Sequence, residues 1–222
     1  MILLVSNKSD LATDFLVIRL HERDIDFLRI NTEDYLSKWE TNLILDSGKI
    51  DAILELKDGR NIPIENIDGA YIRQPRLPTL QTSGSEKEFS NREIGETLKS
   101  LFRYINHDTW LNAPYDILRS SNKPEQLKIA QDIGFNIPQT CITANVDLIK
   151  SFYQSNDKNI IGKAVKHGFL YTQEGAKIAG TQLINNEILK KWNDYLRLPM
   201  IFQERIPKKF DIRATVVGNK VF

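Results

Sequence analysis

Residues 2–5, Ile-Leu-Leu-Val, form a short apolar run that predicts a buried strand, and Ser9 and Asp10 follow it as helix-cap candidates. Leu11, Phe15, Ile18 and Leu20 then lie near helical spacing, and residues 25–30 turn strand-like again. This β-α-β opening predicts an open α/β sheet. The next runs, 43–45, 50–56 and 62–64, are short and separated by Ser47-Gly48 and Asp58-Gly59. Those dipeptides predict tight hairpins, because glycine accepts positive φ without steric penalty. Residues 70–73 predict another buried strand, which Pro75 and Pro78 end. Between 86 and 105 the spacing of Phe89, Ile94, Leu98, Leu101, Phe102 and Ile105 describes an amphipathic helix.

The pattern restarts after Trp110 to Pro114, where a first domain is expected to end. Ser120 and Ser121 precede Pro124, and Leu127, Ile129, Ala130 and Ile133 run to Gly134, a helix C-cap candidate. Beyond it the spacing predicts strands over 139–143, 159–165, 177–183, 200–205 and 211–217, with helices over 146–153 and 187–196.

Composition narrows the classes. The chain has 222 residues, 41% hydrophobic and 27% charged, which fits a globular protein of one large or two small domains. Thirty Lys and Arg balance twenty-nine Asp and Glu, so the formal net charge of +1 gives no global field for nucleic acid or an anionic membrane. Neither is expected as a partner. Cys141 stands alone and can form no internal disulfide, which points to the cytoplasm. The N-terminal apolar run is too short for a signal peptide, and no window approaches the ~18 apolar residues of a membrane span. The three histidines, His21, His107 and His167, have no metal-ligand spacing.

Three stretches carry candidate chemistry. Lys123 opens a helix, where the dipole disfavours a cation unless an anion offsets it. A phosphate there would meet the ammonium and the free backbone N–H groups together, although a solvated lysine is an equal alternative. Lys163 lies in a strand whose neighbours Ile160, Ile161, Ala164 and Val165 are apolar, and a buried lone ammonium needs a partner. The stretch after it, Lys166-His167-Gly168-Phe169 up to Gly175, reads as a glycine-containing flap over phosphates or as an ordinary hairpin loop. The third stretch is an apolar strand ending Gln203-Glu204-Arg205-Ile206, then a basic turn and Asp211-Ile212-Arg213. Backbone edges and a carboxylate of that kind suit adenine and a ribose hydroxyl, and a plain surface hairpin is the alternative.

Taken together, Asn122-Lys123, Gly134 with Ile137-Pro138-x-Thr140, Lys163, Gln203-Glu204-x-Ile206 and Asp211-x-Arg213 with Val216-Val217-Gly218 resemble the ordered motifs of ATP-grasp ligases. The resemblance is nearest to the microviridin-type peptide ligases (graspetide synthetases) and the ribosomal-protein glutamate ligase branch. Ala70-Tyr71-Ile72-Arg73-Gln74-Pro75 resembles the aromatic-x-Arg-x-Pro segment of the peptide-ligase subgroup.

The resemblance implies an α/β fold in three parts: a pre-ATP-grasp open-sheet domain over 1–115, an ATP-grasp central α+β domain over 116–202, and the start of a C-terminal lobe over 203–222. It implies an ATP-dependent ligase that activates a carboxylate as an acyl phosphate for attack by an amine or hydroxyl. The substrate would be a precursor peptide or protein with acidic side chains, whose leader would dock on the central domain, with the 187–196 helix as one surface. Packing through Ile188, Leu189 and Trp192 is the simpler account of that helix. By resemblance Lys123 and Lys163 contact ATP phosphates, Gln203, Glu204, Arg205 and Ile206 hold adenine, Asp211 lies near ribose or triphosphate, and Arg213 beside it. The family's Mg²⁺ ligands, an acidic residue and a Glu-x-Asn pair, would fall beyond Phe222, so the expectation is a truncated chain with weak or no turnover. No catalytic residue or metal ligand is assigned within it. A homodimer is a further expectation, and the alternative is a non-catalytic nucleotide- or peptide-binding remnant of the fold.

Overall fold

The computed structural model describes residues 1–166, 169–172, 175–178, 180–192 and 198–222. The chain divides into two compact units, Met1–Arg119 and Ser120–Phe222.

In the first unit the β-α-β opening forms as the apolar runs predict. Strand β1 (Ile2–Ser6) lies between β2 (Phe27–Asn31) and β6 (Gly69–Ile72), all parallel, with helix α1 (Leu11–His21) joining β1 to β2. The two glycine dipeptides make hairpins. β3 (Trp39–Asp46), β4 (Lys49–Leu56) and β5 (Asn61–Pro63) pair antiparallel, and Gly48 and Gly59 take φ of +86° and +93°, which a side chain would resist. Helix α2 (Gly84–Tyr104) buries Ile94, Leu98, Leu101 and Phe102 in one core with β1 and β4, while Phe89 is exposed.

Helix α1 departs from its sequence pattern. Leu11, Phe15 and Ile18 are exposed, and the buried residues are Thr13 and Leu20. The reason is a polar network. Buried Asp10 caps α1 by accepting from the Ala12 N–H, and its carboxylate also accepts from Ser6 Oγ at 2.8 Å, Thr13 Oγ1 at 2.8 Å and Arg73 Nε at 3.0 Å. Hydrogen bonds thus turn Thr13 inward and leave the apolar stripe outside. Burial alone would push the Asp10 carboxyl up, but the donors Ser6, Thr13 and Arg73 together hold it below the usual carboxylate range. A folded pKa below the unfolded one adds stability above the unfolded value, and that stability is lost as pH falls through the folded one. Asp10→Asn is therefore expected to lose about 2 kcal/mol at neutral pH. The gap to the wild type should shrink toward about pH 3, below the ordinary carboxylate value, because the wild type begins to lose this contribution there and asparagine has no charge to lose. Urea unfolding at the two pH values reads this, and an equal gap at both would remove charge from the account.

The first unit ends in α3 (Pro114–Ser120), which the sequence pattern does not announce and whose last residue alone falls in the second unit, and the second unit opens on α4 (Lys123–Asp132). Asn122 caps α4 by accepting from Glu125 N, and Gly134 follows it at φ +92°. The apolar spacing of α4 does not bury it, since Ile129 and Ile133 are exposed. The main sheet has the order β11-β8-β12-β7, all antiparallel: β7 (Thr140–Thr143), β8 (Ile160–Lys163), β11 (Gln182–Leu183) and β12 (Met200–Glu204). Its inner face packs Ile160 and Phe202 against Ile149 and Tyr153 of α5 (Val146–Ser155) and against Leu189 of α6 (Asn186–Lys190) and Trp192. Gly162 lets Ile184 in close, since a Cβ there would meet Ile184 Cδ1 at 2.9 Å. Of the helix expected over 187–196, α6 ends at Lys190, Leu189 and Trp192 belong to the core, and 193–196 lie outside the described residues.

Two hairpins complete this unit: β9 (Phe169–Thr172) with β10 (Gly175–Ile178), and β13 (Val216–Val217) with β14 (Lys220–Val221). His167 and Gly168 of the expected flap lie outside the described residues. The strand expected over 211–217 is corrected to Val216–Val217. Every residue from Arg205 to Phe222 is exposed, and a strand needs a neighbour for its backbone groups, which among the described residues 211–215 lack except for Thr215 pairing with Phe222. Among the described residues no helix is long and apolar enough to cross a membrane.

Candidate functional site

Residues directly opposite in an antiparallel pair share a face of the sheet. In β12, Ile201 lies opposite Lys163 and Ile142, and Gln203 opposite Ile161 and Thr140, whereas Phe202 lies opposite Gly162 and Cys141. Phe202 marks the core side. Lys163, Gln203 and Thr140 therefore share the other face, and Lys163 is not enclosed by apolar residues on both sides as its sequence neighbours suggest. The alternation of β8 does this, with Ile160 and Gly162 inward and Ile161 and Lys163 outward.

On that face a chain of polar groups is built. Lys163 Nζ donates to Gln203 Oε1 at 2.8 Å, Gln203 Nε2 donates to Thr140 Oγ1 at 2.9 Å, and Thr140 Oγ1 donates to the Pro138 carbonyl at 2.8 Å. Gln203 is buried and Lys163 half-buried. Lys123 reaches the same neighbourhood from the first turn of α4. Its ammonium donates to the Ala164 carbonyl at 2.8 Å and to the Lys166 carbonyl, just past the end of β8. Burial, and then the Lys123 charge, push the Lys163 ammonium below the ordinary lysine range. An anion placed beside the two ammonium groups would relieve both the burial penalty and the repulsion on Lys163.

The other residues assigned from the sequence divide into two sets. Glu204 and Arg205 sit at the end of β12, and their backbone N–H groups already donate to the Gln139 carbonyl at 2.9 Å and the Asn159 carbonyl at 3.0 Å. Glu204 Oε2 also accepts from Gln139 N at 3.3 Å. The N–H groups of these two residues are thus engaged within the unit. Ile206, Asp211 and Arg213 lie in exposed, irregular chain, and the Asp211 carboxylate accepts from Lys208 Nζ at 2.7 and 2.8 Å. The structure thus brings Lys123, Lys163 and Gln203 together and leaves Asp211 and Arg213 tied to none of them by a described bond. Thr140 is absent from the set drawn from the sequence, though the Pro138-x-Thr140 spacing was its signal. Among the described residues no group of three or more His, Cys, Asp or Glu could hold a metal ion.

No family model matches the sequence, and no curated protein matches it. Solved structures do. A RiPP-associated ATP-grasp ligase from Chryseobacterium gregarium, in complex with ADP and a leader and core peptide, is 27% identical, with a TM-score of 0.85 over 99% of this chain and 67% of its own. The macrocyclase MdnC from Microcystis aeruginosa, bound with the precursor peptide MdnA, matches at 22% identity and a TM-score of 0.88, over 100% of this chain and 72% of its own. The ATP-grasp ligase PsnB, complexed with a minimal precursor, Mg and ADP, matches at 19% identity and a TM-score of 0.67, over 92% of this chain and 65% of its own.

Proposed function

We propose that this chain, whose fold is that of the RiPP-associated ATP-grasp ligases, is the nucleotide-binding part of an ATP-dependent ligase that joins acidic side chains of a ribosomally made peptide to amine or hydroxyl groups. The observation that carries the reading is the pair of ammonium groups, Lys123 and Lys163, converging beside Gln203 on the sheet face opposite the core. When bound, ATP supplies the phosphoryl group that turns a carboxylate into an acyl phosphate. An amine or hydroxyl then displaces phosphate, so that one water is lost in sum from the peptide.

The residues present suit a triphosphate. Lys163 and Lys123 neutralise its charge, and Gln203 holds the Lys163 ammonium in place through Oε1. The exposed stretch from Arg205 to Arg213 would have to order over the nucleotide for Glu204, Arg205, Ile206, Asp211 and Arg213 to reach it. Among the described residues no group of three or more His, Cys, Asp or Glu is found, and no ligand for Mg²⁺ is named. A cytosolic setting suits Cys141, whose thiol burial pushes up and away from reactivity.

Calorimetric titration with ATP tests the first half of the reading: saturable binding, competed by ADP, is expected, and its absence at millimolar nucleotide removes it. The second half is read by mass spectrometry of an acidic precursor peptide encoded beside the protein. ATP-dependent loss of one water per bond is expected. ATP binding without any such loss would favour the non-catalytic nucleotide-binding alternative.

A further inference from the structure

We infer that Thr140 is a positioning residue for the nucleotide site, acting through Gln203 to fix where Lys163 presents its charge; the inference rests on the reading of Lys163 as a phosphate ligand. Hydrogen-bond polarity fixes the role of each group. An ammonium has donors only, so the amide atom of Gln203 that faces Lys163 at 2.8 Å has to be the oxygen. The amide NH₂ then faces Thr140 Oγ1 at 2.9 Å and must donate to it. That leaves the Thr140 hydroxyl proton for the Pro138 carbonyl at 2.8 Å. The backbone carbonyl can only accept, so the polarity of the whole chain runs one way, and each group has one role.

The sheet register supports the same order. Thr140 and Gln203 are direct partners across β7 and β12, and Lys163 lies two pairs further along on β8, on the same face and diagonal to Gln203. Strand positions thus set the spacing, and the hydroxyl sets the direction of the amide. Without that hydroxyl the buried amide loses the acceptor for its NH₂, and the Lys163 ammonium alone is left to hold Oε1 toward it. A flipped amide would present donors to the ammonium, in a place already shared with the Lys123 charge.

The test compares Thr140→Val, which keeps the shape and removes the hydroxyl, with Thr140→Ser, which keeps the hydroxyl. ATP affinity by calorimetry should fall by roughly tenfold in the valine variant, the effect of one lost buried hydrogen bond beside a charge, and recover in the serine variant. Competitive acetylation of Lys163, mapped by mass spectrometry in the nucleotide-free protein, is the second readout. Loss of the Oε1 acceptor favours the neutral amine, so Lys163 should react faster in the valine variant and at the wild-type rate in the serine variant. Thr140→Ala serves the same comparison if the valine does not fold. Wild-type binding of ATP with unchanged affinity and unchanged Lys163 acetylation in the folded hydroxyl-free variant overturns the role of Thr140. Failure of the wild type itself to bind ATP overturns instead the reading of the site.

Discussion

Exchange of Lys163 for methionine is expected to weaken ATP binding by roughly 10- to 100-fold while leaving the nucleotide-free fold intact. A unit charge about 4 Å from a phosphate charge gains on the order of 4 kcal/mol at an effective dielectric of ~20. Part of that is offset by desolvation, and a charged hydrogen bond nets about 1.5–3 kcal/mol. Methionine keeps the apolar stem of the side chain and removes only the charge. In the nucleotide-free protein the ammonium is disfavoured by burial and by Lys123, so its removal relieves repulsion and leaves only Gln203 Oε1 without its donor.

The sign of the pH dependence follows. A lysine with a folded pKa below its unfolded value holds fewer protons in the folded state, so stability rises with pH between the two values. The wild type should therefore gain stability as pH rises toward the ordinary lysine value, about 10.4, by a step that the methionine variant lacks. Calorimetric titration with ATP and urea unfolding across that range read both effects. Wild-type affinity in the methionine variant would remove Lys163 from the phosphate site.

Truncation of Phe202 to alanine is expected to remove about 4 kcal/mol of stability from the second unit, in the middle of the range for aromatic core truncations. Phe202 is fully buried in the central strand β12, packs edge-on to Trp192 at 5.4 Å between ring centroids, and lies 3.7 Å from where a Gly162 Cβ would stand. Little around it can collapse into the space. The same strand presents Gln203 on its other face, so ATP affinity should fall together with stability. Phe202→Leu, which refills most of the volume, should retain most of both. Urea unfolding followed by fluorescence measures the loss, and a loss below about 2 kcal/mol would mean that the helices α5 and α6 close over the gap.

Local chemistry was legible wherever one residue type dictates one conformation. Ser47-Gly48 and Asp58-Gly59 announced hairpins because their backbones need positive φ, and Gly134 announced the end of α4 for the same reason. Residues 2–5 announced a buried strand because an apolar run of that length has few other uses. The face of α1 was not legible. Its apolar spacing pointed to Leu11, Phe15 and Ile18, and the network on Asp10 buried Thr13 instead, because the hydrogen bonds of a buried carboxylate outweigh the burial of a stripe. The helix over 114–120 has no apolar period in its sequence to mark it. The strand over 211–217 shrank to two residues because extended chain with no neighbour leaves its backbone groups unpaired.

The candidate site divides in the same way. Sequence alone was enough to single out Lys123 and Lys163, since a cation at a helix start and a charge amid apolar strand residues are anomalies of the chain itself, and it was enough to order the motifs that resemble an ATP-grasp ligase. Which face Lys163 occupies, its approach to Lys123, and the one-way chain through Gln203 and Thr140 to Pro138 were decided only by the antiparallel register of β7, β12 and β8. Register is a property of strands far apart in sequence, and no local residue preference encodes which side chains it will set opposite one another.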